Sequence, residues 1–128
     1  MASEFFTDIA STVLSKTLDA ASTRQKAIAN NIANVETPGY KRSYVTFEDE
    51  LRRIISLKSG HAQRAAVKTL TPNTLVDTFS PSKPDGNNVN IDAEIAELAK
   101  TSLKHKAASV LLEGKIGMLR AAISEGKR

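Results

Sequence analysis

The run Ala27-Ile-Ala-Asn-Asn-Ile-Ala-Asn-Val-Glu-Thr-Pro-Gly-Tyr-Lys41 marks the place where one kind of structure gives way to another. Up to Asn34 its apolar and small residues recur at helical spacing. Ile28 and Ile32 share a face at i and i+4, and Ala27, Ala29 and Ala33 are small enough to let a second helix come close. Three amides, Asn30, Asn31 and Asn34, crowd the last turns. Asn is a poor helix former, so three together imply a gain elsewhere. That gain is either capping of the helix end or, the preferred reading, hydrogen bonding to a neighbouring subunit. Thr37-Pro38-Gly39-Tyr40 then stops the helix. Proline pushes Thr37 toward extended backbone, and Pro38 and Gly39 fit the two central positions of a type II turn.

Upstream of this run, Leu14, Leu18, Ala21, Gln25, Ile28, Ile32 and Val35 alternate steps of four and three, the spacing of a coiled-coil seam. Neither Pro nor Gly interrupts Phe5 to Ala33, which predicts one helix. Its apolar start at Phe5, Phe6 and Ile9 is expected to fray in a lone subunit. At the other end of the chain, Ile91, Ile95, Leu98, Ser102, His105, Ser109, Leu112, Ile116, Leu119 and Ile123 follow the same alternation. Asn90 is placed as an N-cap. Asp92 and Glu94 set negative charge in the first turn, and Lys127 and Arg128 set positive charge at the far end, as the helix dipole favours. Such a helix runs roughly 50 Å. Gly114 and Gly117 lie inside it, each costing about 1 kcal/mol against Ala. They read either as a weak point or as a place where a neighbouring helix approaches closely.

These patterns predict a mainly α protein, with two long terminal helices packed as a coiled-coil-like, roughly antiparallel pair. Residues 1–39 and 90–128 form the core module, and 40–89 an irregular linker or insert. The side chains expected to pack and assemble are Leu14, Leu18, Ala21, Ile28, Asn30, Asn31, Ile32 and Asn34 on the first helix. On the second they are Ile95, Leu98, Leu112, Ile116, Leu119 and Ile123. In the middle, Tyr44 to Phe47 favours extended backbone and Phe47 to Leu57 a short helix. From Ser59 to Val89 the chain reads as loop, with Pro72, Pro81, Pro84 and the turn-forming run Lys83 to Asn88. Thirty such residues are long for a compact domain, so this stretch is expected to be mobile or ordered only against a partner. Leu103, Val110 and Leu111 fall off the seam. A helix apolar on more than one face requires more than one neighbour, and this points to assembly.

Composition removes several alternatives. Hydrophobic residues make up 41% of the 128, aromatics only 5%, and Trp is missing, so the core must rest on Ala, Leu, Ile and Val. The net charge of +4 is dispersed among both signs. It reads as a solvated surface, with a basic helical nucleic-acid-binding module as the alternative. The chain has no Cys, which removes disulfides, thiolate zinc sites and thiol nucleophiles. No apolar leader and no run near the ~20 residues of a membrane span are found, so neither a cleaved signal nor membrane insertion is expected. His61 and His105 have no carboxylate or second His at ligand spacing, and Glu48-Asp49-Glu50 reads as a solvated face. No phosphate loop or nucleophile motif occurs. The expectation is a protein with no catalytic, cofactor or metal residues, and not an enzyme.

The segment Ser22 to Tyr40 closely resembles the N-terminal signature of bacterial flagellar rod and hook proteins. The short length, with no large inserted domain, resembles the proximal rod subunits of that family. So does the ending, Leu111-Leu-Glu-Gly-Lys-Ile-Gly-Met-Leu-Arg-Ala-Ala-Ile123. The resemblance implies a structural subunit of the basal-body rod, polymerising through its terminal helices and transmitting torque for motility. It implies copies of itself and related rod subunits as partners, with an adapter protein and the inner-membrane ring at the rod base. It further implies export to the periplasm through the flagellar type III system without cleavage. Phe47-Glu-Asp-Glu-Leu51 is similar to the motif, an initial Phe and a later apolar residue, by which early axial subunits dock on the export gate. Here Phe47 and Leu51 would carry that contact.

Overall fold

The structure, a computed structural model, describes residues 8–126. Phe5 and Phe6 at the expected helix start, and Lys127 and Arg128 at the expected helix end, lie outside the described residues. In chain order the elements are α1 (Ile9–Ala33), β1 (Ser43–Thr46), α2 (Glu48–Ile55), α3 (Gly60–Thr69), β2 (Asn73–Val76) and α4 (Ile91–Glu125). The two long helices pack against each other over most of the length of α1.

Each long helix begins on a side-chain cap. The Asp8 carboxylate accepts the Ser11 amide at 2.9 Å, and the Asn90 side chain accepts the amides of Asp92 and Ala93. The helices run antiparallel, as three cross-contacts show. Asp8 pairs with Lys115, Gln25 meets Ser102, and Asn31 donates to Glu94, so the numbers of facing residues add to about 125. On α1, Ala21 and Ile28 are buried, with Leu14, Leu18 and Ile32 half-buried.

On α4 the covered stripe is Glu94, Leu98, Thr101, His105, Ala108, Leu112, Lys115 and Leu119, again in steps of four and three. It shares Leu98, His105, Leu112 and Leu119 with the seam expected from sequence. The alternate positions move by one residue, from Ile95, Ser102, Ser109 and Ile116 to Glu94, Thr101, Ala108 and Lys115. Ile91, Ile95 and Ile123 are exposed, and Ile116 is half-buried. Hydrophobicity ranks Ile95 above Glu94, but Glu94 finds a guanidinium and an amide inside the fold, while Ile95 stays 53% exposed.

A small second core lies on another side of α1. Ala20 packs with Phe47, Ile54, Val67 and Leu70, flanked by Val13, Leu51 and Ala66. The segment 44–57 folds as its residue types suggest, with a strand followed by a short helix whose first turn holds Glu48, Asp49 and Glu50. The expected loop over 59–89 instead contains α3 and β2. Ser59 caps α3 at the Ala62 amide, and Val67 is its one buried side chain. A ten-residue helix anchored at a single point shows little periodicity, which is why pattern alone missed it. β2 pairs antiparallel with β1, Ser43 facing Val76 and Thr46 facing Asn73.

Candidate assembly surface

The polar side chains at the Asn34 end of the helix pair form one connected cluster. Asn31 has 0% exposure and uses both ends of its amide. Its Nδ2 donates to the Ser43 carbonyl at 2.8 Å and to Glu94 Oε2 at 3.0 Å. Its Oδ1 accepts from the Ser43 amide at 2.8 Å and the Tyr40 hydroxyl at 3.2 Å. Glu94, at 1% exposure, also accepts from Arg42 Nε at 2.8 Å. Arg42 reaches on to Asp77 at 3.3 Å. The Asp77 carboxylate accepts the Ser80 hydroxyl and the Ser80 and Phe79 amides, and with Arg42 these hold its pKa well below the usual carboxylate range. A charge as buried as Glu94 is tolerable only because it is paired and fully hydrogen-bonded.

The turn after α1 is built into the same cluster. Gly39 has φ of +73°, as the third residue of a type II turn requires, and the Tyr40 amide donates to the Thr37 carbonyl at 3.2 Å. Pro38 sits at the second position, where its fixed φ suits the turn. Asn87, fully buried, donates from Nδ2 to the carbonyls of Asn34 and Thr37 at 2.8 Å each. Asn88 bridges the Arg42 amide and the Asp77 carbonyl. The run Lys83 to Asn88 is thus a turn in which Asn87 fastens the end of α1 and Asn88 ties the residue before β1 to the one after β2.

For two of the three helix-end amides these contacts differ from the preferred reading. Asn31 bonds within its own chain and has no capacity left for a neighbour. Asn34 bonds locally, donating to the Asn30 carbonyl and accepting from Thr37 Oγ1. Only Asn30 presents its side chain to solvent. Sequence reasoning missed Arg42, Asp77, Asn87, Asn88 and the burial of Glu94. The one available signal was a carboxylate next to the α4 seam.

Along the pair, ion pairs tie the other elements to α1. Arg24 grips Glu48 with both terminal nitrogens at 2.7 Å, and this contact holds the Glu48 carboxyl down at about 2. Burial pushes the Asp8 carboxyl up, but the Lys115 ammonium and Ser11 outweigh it and bring it to about 2. A cleft of about 360 Å³ between α1, β1 and α4 is lined by charges of both signs, among them Arg24, Lys100, Glu48 and Glu97. His105 is half-buried in the helix seam and His61 is exposed. No group of three or more His, Cys, Asp and Glu among the described residues is placed to hold a metal ion.

Part of what the chain leaves uncovered is apolar. On the outward side of α4, Leu103 is 70% exposed and Met118 65%, with Val110 and Leu111 between them. Gly114 and Gly117 lie on this same side, and a Cβ at either would meet nothing. Among the described residues of one copy no helix uses the space they provide. Phe47, by contrast, is buried in the small core with Leu51 half-buried beside it, so the pair offers no docking face in the folded chain.

The family described as "Flagella basal body rod protein" matches residues 12–41, which span most of α1 and the turn after it. The flagellar basal body rod protein FlgB of Bacillus subtilis (strain 168) is 32% identical over 119 residues, covering 89% of this chain and 92% of that protein. The FlgB of Borrelia hermsii is 41% identical over 100 residues, covering 67% and 74%. That of Escherichia coli (strain K12) is 30% identical over 122 residues, covering 85% and 88%. The likeness reaches beyond the helix-and-turn signature into residues 40–89 and α4, and on that extent the chain belongs to the FlgB family of flagellar basal body rod proteins.

Proposed function

We propose that the chain is a non-enzymatic structural subunit of the flagellar rod, polymerising through the outward faces of its terminal helices to form part of a shaft that carries torque. The observation that carries this reading is the outer face of α4, where four large apolar side chains stay in water although the helix is packed along its other side. Exposed apolar area of this extent on a helix marks an interaction surface. In this reading residues 40–89 brace the helix pair, and copies of the chain, related rod subunits, an adapter protein and the inner-membrane ring supply the neighbours at the rod base in the periplasm.

Export through the flagellar type III system fits the burial of Phe47. A gate that recognises Phe47 and Leu51 must do so before the small core forms, which suits a chain threaded unfolded. The test is a deletion strain complemented with Val110→Asp. The purified variant should keep the helicity and melting temperature of the parent, since Val110 touches no core, while motility and rods in isolated basal bodies should be lost. A Val110→Asp strain that swims normally refutes the reading.

A further inference from the structure

Resting on the subunit reading above, we propose that the outer face of α4 receives the outer face of α1 from a second copy, antiparallel and in one register. In that register Ser22 faces Gly114 and Ala29 faces Ala107. Both faces repeat in steps of four and three. On α4 the face is Leu103, Ala107, Val110, Gly114, Gly117 and Ala121, all exposed. On α1 it is Ser15, Asp19, Ser22, Lys26, Ala29 and Ala33, all exposed except the half-buried Ser22. Laid antiparallel, the two sets interleave layer by layer, and Asp19 falls opposite Gly117, where there is room for it.

Charge chooses among the registers that such repeats allow. Lys106, Glu113 and Arg120 flank the α4 face at seven-residue intervals, and Asp19 and Lys26 on α1 are also seven apart. Among the described residues none of these five makes an ion pair within the chain. Side chains on a helix lean toward its N-terminus, so in an antiparallel pair each leans toward a residue three further along the partner. In the proposed register Asp19 therefore leans to Arg120, and Lys26 to Glu113. Slipping seven residues one way sets Asp19 against Glu113 and Lys26 against Lys106. Slipping the other way sets Lys26 against Arg120. Only one alignment joins opposite charges at both places.

This register has a geometric consequence. Facing residue numbers add to about 125 inside the chain and to 136 between copies, so each copy is displaced from its neighbour by about 11 residues, roughly 16 Å along the helices. A contact between two different faces with an axial displacement does not close into a ring, and it propagates as a helix.

The chain contains no Cys, so engineered thiols report cleanly. Ala29→Cys and Ala107→Cys subunits, co-expressed in a deletion strain and oxidised in assembled rods, should form a disulfide-linked dimer. A seven-residue slip moves the facing thiol about 10 Å, so Ala29→Cys with Gly114→Cys should cross-link at least about tenfold less. Asp19→Arg and Arg120→Asp should each reduce motility at least about tenfold, and the double swap in one chain should restore it. Those two positions are about 14 residues out of register within one chain, so rescue reports the contact between copies.

Equal or greater cross-linking of the Gly114→Cys pair, or a double swap that swims no better than the singles, overturns the register. Mixed disulfides to a different protein in place of the dimer overturn the choice of partner. In each case a Val110→Asp strain without rods leaves the subunit reading standing, and a swimming one sinks both.

Discussion

Replacing Asn31 by Ala is the most informative single perturbation of this fold. The side chain is fully buried and holds four hydrogen bonds, so its removal strands several partners at once. The Tyr40 hydroxyl is half-buried and can turn to water. The Ser43 amide and carbonyl lose a partner on the α1 side, and one oxygen of the Glu94 carboxylate is left with none from α1. Leaving a buried neutral group unpaired costs about 1–3 kcal/mol, and a charged one more. Allowing for entry of a water, the loss is about 3–5 kcal/mol, a large share of the roughly 5–15 kcal/mol that stabilises a typical domain. For a chain of this size that lowers Tm by about 10–20 °C. Thermal unfolding of the purified protein followed by circular dichroism measures it directly. Asn30→Ala is the matched control, since that amide lies in solvent and Ala is the better helix former, so its Tm should stay level or rise slightly. An Asn31→Ala protein melting within about 2 °C of the parent would show that the polar cluster contributes little, and the account of the α1 terminus given above would be wrong.

Two further outcomes follow from the ion pairs and the turn. Glu48 and Asp8 both have folded pKa values depressed to about 2, from ordinary values of 4.5 and 3.8, so their stabilisation is complete above about pH 5 and is lost as pH falls toward 2. A Tm profile from pH 7 to 2 should be flat and then drop, and Glu48→Gln should lower the plateau by roughly 2–6 °C while shrinking the drop. Gly39→Ala should cost about 1–2 kcal/mol from its left-handed backbone although space is free, whereas Gly114→Ala, in open space on a helix, should gain up to about 1 kcal/mol. Denaturant titration of both variants checks the pair, and a stabilised Gly39→Ala would contradict the turn assignment.

The terminal helices were legible because their apolar repeats are long and uninterrupted, and because Asn90 is a conventional cap; the cap at Asp8 was not read, since the apolar residues before it suggested an earlier start. The turn at Pro38 and Gly39 was legible from local chemistry alone. The covered stripe on α4 coincides with the apolar repeat at Leu98, Leu112 and Leu119 and departs from it by one residue at Ile95, because the burial of Glu94 depends on Arg42 and Asn31, some fifty to sixty residues away. The same distance in sequence hid the role of Asn87, whose partners are the carbonyls of Asn34 and Thr37. Residue types at a turn reveal that the chain bends, not what its amides will hold. α3 was invisible for the opposite reason, having one buried side chain and so almost no pattern to detect.

A repeating seam of Leu, Ile and Ala resembles itself after every seven residues, so a pair of helices joined by it alone can creep by one repeat at modest cost. Directional bonds do not repeat in this way. Asn31 to Glu94 to Arg42 at one end and Asp8 to Lys115 at the other act as keys in a shaft, satisfied at a single setting and stranded at every other. Whatever axial or twisting load the two helices bear, these polar contacts resist slippage without drawing on the apolar side chains exposed on the outer side of α4.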